Sequence, residues 1–159
     1  MTLAHRMAVA AILILGASDM AVADDSPASF LESWAAAWRS SDVDKMMSFY
    51  DTAKETTAIE SLGHIRKGPA EIRKMYQGAF DEVVFERVTL TPLVHGQQST
   101  VAWASCRYRA ETRLNADNSK YVLEVRGTFV MKRVAGSWKI TLEHFSTIPD
   151  VPRVRPAND

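Results

Sequence analysis

Between Tyr121 and Ile148 apolar residues recur at every second position, stop at a tight turn, and then recur again. Tyr121, Leu123, Val125, Phe129 and Met131 fall on one face, with Val122, Glu124, Arg126, Thr128 and Lys132 on the other. Period two is the signature of a half-buried strand, so the segment reads as a β-hairpin. After Val134-Ala135-Gly136-Ser137, the residues Trp138, Ile140 and Leu142 resume the apolar face, and strict alternation then carries His144 and Ser146 onto it. Buried polar groups need partners, so these two predict either internal hydrogen bonds or a cavity that holds water or a ligand.

Upstream the period changes to that of helices. Phe30, Leu31, Trp34, Ala37 and Trp38 predict a helix over about Ser29 to Ser40, and Val43, Met46, Met47 and Tyr50 mark a short second one. Glu55 to Leu62 reads as a strand by its Thr and Ile content, with a turn at Gly63. Gly68-Pro69 opens a third helix whose stripe is Ile72, Met75, Tyr76, Ala79 and Phe80, since proline suits the first helical turn. The sheet then begins near Phe85, with turns expected at His95–Ser99 and Asn115–Ser119. On the strand between them, Ala102, Ala104, Cys106, Tyr108 and Ala110 form an apolar row of mostly small residues, which leaves room for a hollow. Val151 to Asp159, with Pro152 and Pro156, reads as an extended C-terminal tail covering 149–159.

The first 23 residues have the layout of a secretory signal: His5 and Arg6, an apolar run from Met7 to Ala17, and the small-x-small site Ala21-Val22-Ala23. The apolar run is too short to span a bilayer. An exported protein, periplasmic or secreted, is therefore expected. The remainder is long enough for one domain. Its charge is balanced, 19 basic against 19 acidic residues over the whole chain, which predicts no general attraction for nucleic acid or for a membrane after signal cleavage. The single cysteine, Cys106, cannot form an internal disulfide. His64, His95 and His144 lack metal-ligand spacing and no phosphate-binding loop occurs, so neither a metal nor a cofactor is expected.

The order of these elements resembles the NTF2-like superfamily, in particular its SnoaL-like and DUF4440-type branches. The resemblance rests on Trp34-Ala35-Ala36-Ala37-Trp38 with Asp42, on Phe49-Tyr50, and on the helix start Gly68-Pro69-Ala70-Glu71-Ile72. The ending Arg126-Gly127-Thr128-Phe129, Gly136-Ser137-Trp138-Lys139-Ile140 and His144-Phe145-Ser146 completes it. It implies an α+β cone over residues 28–148, with three N-terminal helices packed on a curved, mostly antiparallel sheet. Set against the ketosteroid isomerase branch, Glu60 falls where that branch keeps its proton-shuttling carboxylate. Trp34 falls at the position of its oxyanion-stabilising tyrosine and Gly127 near that of its second, acidic donor. An indole N–H cannot supply a proton and glycine has no side chain, so steroid isomerisation is not expected.

Two functional classes follow. One is a pocket that binds a small organic ligand, walled by Trp34, Tyr50, Tyr76 and Tyr108 with Ser146 as a polar contact. The other is a cofactor-independent lyase, isomerase or hydrolase using Glu60 as base and His144 as acid or orienting group, with His64 in a solvated turn nearby. Arg107, Arg109, Arg113, Arg126 and Lys132 interleave with Glu111 and Glu124 on the opposite sheet face, which fits cross-strand ion pairs and a homodimer through that outer face rather than nucleic acid.

Overall fold

The computed structural model describes residues 25–157; the signal-like segment lies outside them. Helix α1, Pro27–Ala37, starts where the Ser26 hydroxyl accepts from the Ser29 amide and continues into a 3-10 turn, Trp38–Ser40. Ser41, in the left-handed region at φ 50°, breaks the turn, and Asp42 caps helix α2, Val43–Met47. Strand β1, Thr57–Ile59, and strand β2, Ile65–Lys67, form a small hairpin ahead of helix α3, Gly68–Glu82. Gly68 takes φ +77°, which glycine adopts without strain, and so lets Pro69 enter the first turn directly from β2. Strands β3 (Val83–Gln98), β4 (Val101–Leu114), β5 (Lys120–Val134) and β6 (Ser137–Ser146) make a long antiparallel meander, and β7, Val154–Pro156, closes the chain.

The strand order is β2-β1-β6-β5-β4-β3, with β1 and β6 parallel and all other pairs antiparallel. The helices cover one face only. The core between helices and sheet is dense in aromatic rings: Trp34 is fully buried and packs against Trp38, Tyr108, Phe129 and Phe145. The expected α+β cone is therefore present, and the row Ala102, Ala104, Cys106, Tyr108 and Ala110 faces its interior. Trp34 and Trp38 both pack against Tyr108 of this row.

Several sequence expectations are corrected. The strand expected over Glu55–Leu62 is only three residues long, because Asp51 to Thr56 is occupied by turns, and β2 was not foreseen. β3 runs straight through His95–Gln98 and turns at Ser99-Thr100 instead. Gly96, which suggested a turn, serves packing: a Cβ there would lie 2.2 Å from the Trp103 ring of the neighbouring strand. The C-terminal tail is extended, and part of it is also paired. β7 pairs with β5 beyond the point where β6 ends, and Glu124, buried between strands, binds Arg107 at 3.2 Å and Arg155 at 3.3 Å. No described helix is long and apolar enough to cross a membrane.

The correction with most consequence lies in β6. Val130 pairs with Leu142 and Met131 with Ile140, so Thr141 has no opposite residue. This β-bulge falls where β6 changes its other neighbour from the Phe49–Asp51 segment to β1. One extra residue reverses the inside-outside alternation. Trp138 and Ile140 point inward as expected, but after the bulge Glu143 is buried, while His144 is exposed and Ser146 shares its outward phase.

Candidate functional site

Glu143 is the most deeply buried acid among the described residues. Its side chain is essentially inaccessible, and the Tyr50 hydroxyl donates to its Oε2 at 2.5 Å. The Tyr50 hydroxyl also contacts the Tyr76 hydroxyl through a very short hydrogen bond. Tyr50 is set in place by the bridge it forms with Ile140, flanked by Asp51 N–H to Ile140 O at 2.9 Å and Ile140 N–H to Phe49 O at 2.8 Å. Asp51 itself is tied to Lys132 at 2.6 Å, and that bond holds its carboxyl below the usual carboxylate range. Tyr76 comes from the buried stripe of α3, one turn past Ile72. The three groups therefore meet from β6, from the segment after α2, and from α3.

Burial raises Glu143 to about 7, an effect that the hydrogen bonds from both tyrosines only partly offset and the charge of Glu60 reinforces. Burial likewise pushes Tyr50 and Tyr76 well above the ordinary phenol range, so both remain neutral. A hydroxyl has one proton to donate, which couples the three groups. With Glu143 ionised, Tyr50 donates to the carboxylate and the Tyr76 proton is held by Tyr50 or by Glu143 itself. With Glu143 protonated, the chain can reverse: the acid donates to Tyr50, Tyr50 to Tyr76, and the Tyr76 proton becomes free to point elsewhere. The Trp34 indole N–H, buried without a well-aligned partner, acts on the Tyr76 oxygen from the helix side and offsets part of the rise in its pKa.

Tyr76 also lines a cavity of about 190 Å³. Trp38, Met75, Phe85, Tyr108, Leu123, Val125 and Phe145 supply its apolar wall, and the partly exposed Glu60, Ser61 and Arg153 mark its open end. An apolar space of roughly 150 Å³ accepts one benzene ring, so this one takes a single ring with a small substituent and not a steroid. A wider cleft of about 550 Å³ on the outer side is lined by Glu86, Arg109, Glu111 and Arg155. Those charges pair within the protein, Arg109 with Glu111 at 2.5 Å and Arg155 with Glu124 at 3.3 Å.

The sequence-derived site residues divide accordingly. Tyr76 and Tyr108 line the cavity as walls, and Glu60 reaches its edge. Trp34 and Tyr50 lie behind the lining: Trp34 is packed among rings, and Tyr50 links Tyr76 to Glu143. The Glu60 carboxylate, 32% exposed, accepts from Arg66 Nε at 2.6 Å, with His64 Nδ1 at 4.0 Å. His144 and Ser146 do not enter the interior, because the Thr141 bulge turns them to the outer face. Glu143 escaped the sequence reading, although one signal was available: Ile140 and Phe145, both packed into the core, cannot share a face under strict alternation. Cys106 is buried and free, and burial raises its thiol to about 11, which keeps it unreactive. Among the described residues no cluster of ligating side chains could hold a metal.

A SnoaL-like domain model matches residues 28–150, and the chain belongs to that family. Solved structures with the same fold include an NTF2-like superfamily protein from Salmonella enterica serovar Typhimurium, at TM-score 0.67 and 15% identity over 78% of this chain and 89% of that one. A ketosteroid isomerase-like protein from Erwinia carotovora atroseptica gives 0.66 and 16%, covering 76% and 92%. An NTF-2-like protein of unknown function from Shewanella oneidensis gives 0.60 and 20%, covering 75% and 94%. At these identities the likeness speaks for the cone fold alone. No curated protein matches.

Proposed function

We propose that this SnoaL-like domain binds a small organic molecule inside its cone, with the Tyr76 hydroxyl as the group that meets a ligand oxygen. The observation that carries this reading is the chain Glu143–Tyr50–Tyr76, which ends in the wall of an otherwise apolar cavity. Buried polar groups are costly, and an aliphatic residue at 143 would serve packing at least as well. A carboxyl that titrates near neutrality instead lets Tyr76 act as donor when Glu143 is protonated. The test is a titration with acetophenone, a one-ring ketone, followed by tryptophan fluorescence and calorimetry at pH 6 and pH 8. Binding should be tighter at pH 6 and several-fold weaker in Tyr76→Phe, and equal affinity in both proteins would refute the role of Tyr76.

A second reading, acid-base catalysis by an isomerase, lyase or hydrolase, is favoured by Glu60 lining the same cavity. Glu60 would take a proton from the ligand, while Tyr76, backed by Glu143, would stabilise the charge that develops on its oxygen. In this version the acid role expected of His144 passes to the Tyr76–Glu143 pair. Export rests on the leader-like first 23 residues. Self-association through the outer sheet face rests on the absence, among the described residues, of a helix covering it and on the exposure of Trp103, 43%, beside Val94, 58%.

A further inference from the structure

The geometry points to Arg153, in the segment that follows the family domain, as the group that selects ligands carrying a carboxylate. This inference rests on the reading of the cone interior as a ligand site. The family match ends at residue 150, yet the chain continues across the open end of the cavity. Asp150 takes φ 61° and Val151 N–H returns to Ile148 O at 3.2 Å, which turns the chain back toward β5. The Glu124 amide then donates to the Arg153 carbonyl at 2.8 Å, Val154 pairs with Leu123, and Arg155 reaches Glu124. Arg153 is thus held by its carbonyl at the start of β7, and Leu123, the partner of the adjacent Val154, belongs to the cavity wall.

Its side chain makes no ion pair or hydrogen bond among the described residues. Arg39, Arg87 and Arg126 are likewise without an acid partner among the described residues, but of these four only Arg153 lines the cavity. The acid at the open end, Glu60, is already engaged by Arg66. Of the two charged residues that line the entrance, Glu60 is therefore already matched and the Arg153 guanidinium is the one left unbalanced. A planar guanidinium binds a carboxylate through two parallel hydrogen bonds, a geometry that ammonium groups do not reproduce. The interior accepts one ring. Together these features define the ligand class: a one-ring or similarly sized apolar acid, ring inward and carboxylate at Arg153.

The experiment compares benzoate with acetophenone at pH 6 and low salt, on the chain from residue 24 onward, in wild type and Arg153→Gln. Benzoate should bind wild type at least tenfold more tightly than acetophenone. Arg153→Gln should remove that preference and leave acetophenone affinity within twofold. Added salt at 0.5 M should weaken benzoate more than acetophenone. If acetophenone binds and benzoate binds no better, the role of Arg153 is overturned while the ligand site stands. If the preference survives in Arg153→Gln, the role of Arg153 is likewise overturned. If neither compound binds wild type, both readings fall. The wild-type comparison decides even if the variant does not fold.

Discussion

The Thr141 hydroxyl donates to the Val130 carbonyl at 3.1 Å, at the point where β6 carries one residue more than β5. That single insertion decides which of two adjacent titratable residues lies inside. It buries Glu143 beside Tyr50 and turns His144 outward, so the interior acquires an acid near neutrality in place of an imidazole.

Stability should therefore fall with pH across the neutral range. Glu143 is raised from an ordinary 4.5 to about 7 in the folded state, so between those values the native state holds a proton that the unfolded chain has released. Its contribution is present below the unfolded value and is lost as pH rises through the folded one, a loss of about 2 to 3 kcal/mol between pH 5 and 8. Urea unfolding at pH 5 and pH 8 checks this. Glu143→Gln should flatten the profile and unfold at higher urea than wild type at pH 8; parallel profiles for the two proteins would contradict it.

His144→Ala should change stability by less than about 0.5 kcal/mol, as expected for an exposed side chain outside the core. It should also leave acetophenone affinity unchanged. Thermal unfolding and the same fluorescence titration provide the check, and a loss of binding would return the imidazole to the interior.

How far the sequence could be read depended on which rule governed each segment. The helix start at Gly68-Pro69, the stripe from Ile72 to Phe80 and the inward row on β4 follow from local chemistry and simple periods, and the structure reproduces them. Tyr76 and Tyr108 were legible as cavity walls for the same reason. The site acid was not, because a bulge depends on a change of neighbouring strand that no local pattern encodes. β7 was missed for a related reason: Val154–Pro156 has no apolar period of its own and becomes a strand only because β6 stops at Ser146 and leaves the β5 edge unpaired.

The outer face should mediate self-association if Trp103 is its anchor. Light scattering of the wild-type protein at high concentration should give twice the monomer mass, and Trp103→Ser or Arg126→Glu should return it to monomer without lowering the melting temperature by more than a few degrees. A monomeric wild type at high concentration would refute the dimer.

Glu124 provides the last and sharpest test of how the C-terminal segment is held. Its carboxylate is 10% exposed and receives two guanidinium groups, Arg107 on β4 and Arg155 on β7. Removing the carboxylate leaves two cations facing each other across a strand, which costs more than the loss of an exposed pair, about 1 to 3 kcal/mol. Glu124→Ala should therefore lower the urea midpoint by that amount. It should also expose the Arg153–Val154 bond to trypsin, since β7 holds only three residues of pairing without the clamp. Because Arg153 immediately precedes that strand, benzoate affinity should fall together with tail protection, while acetophenone affinity should not. A tail that stays resistant to trypsin in Glu124→Ala would show that backbone pairing alone anchors it.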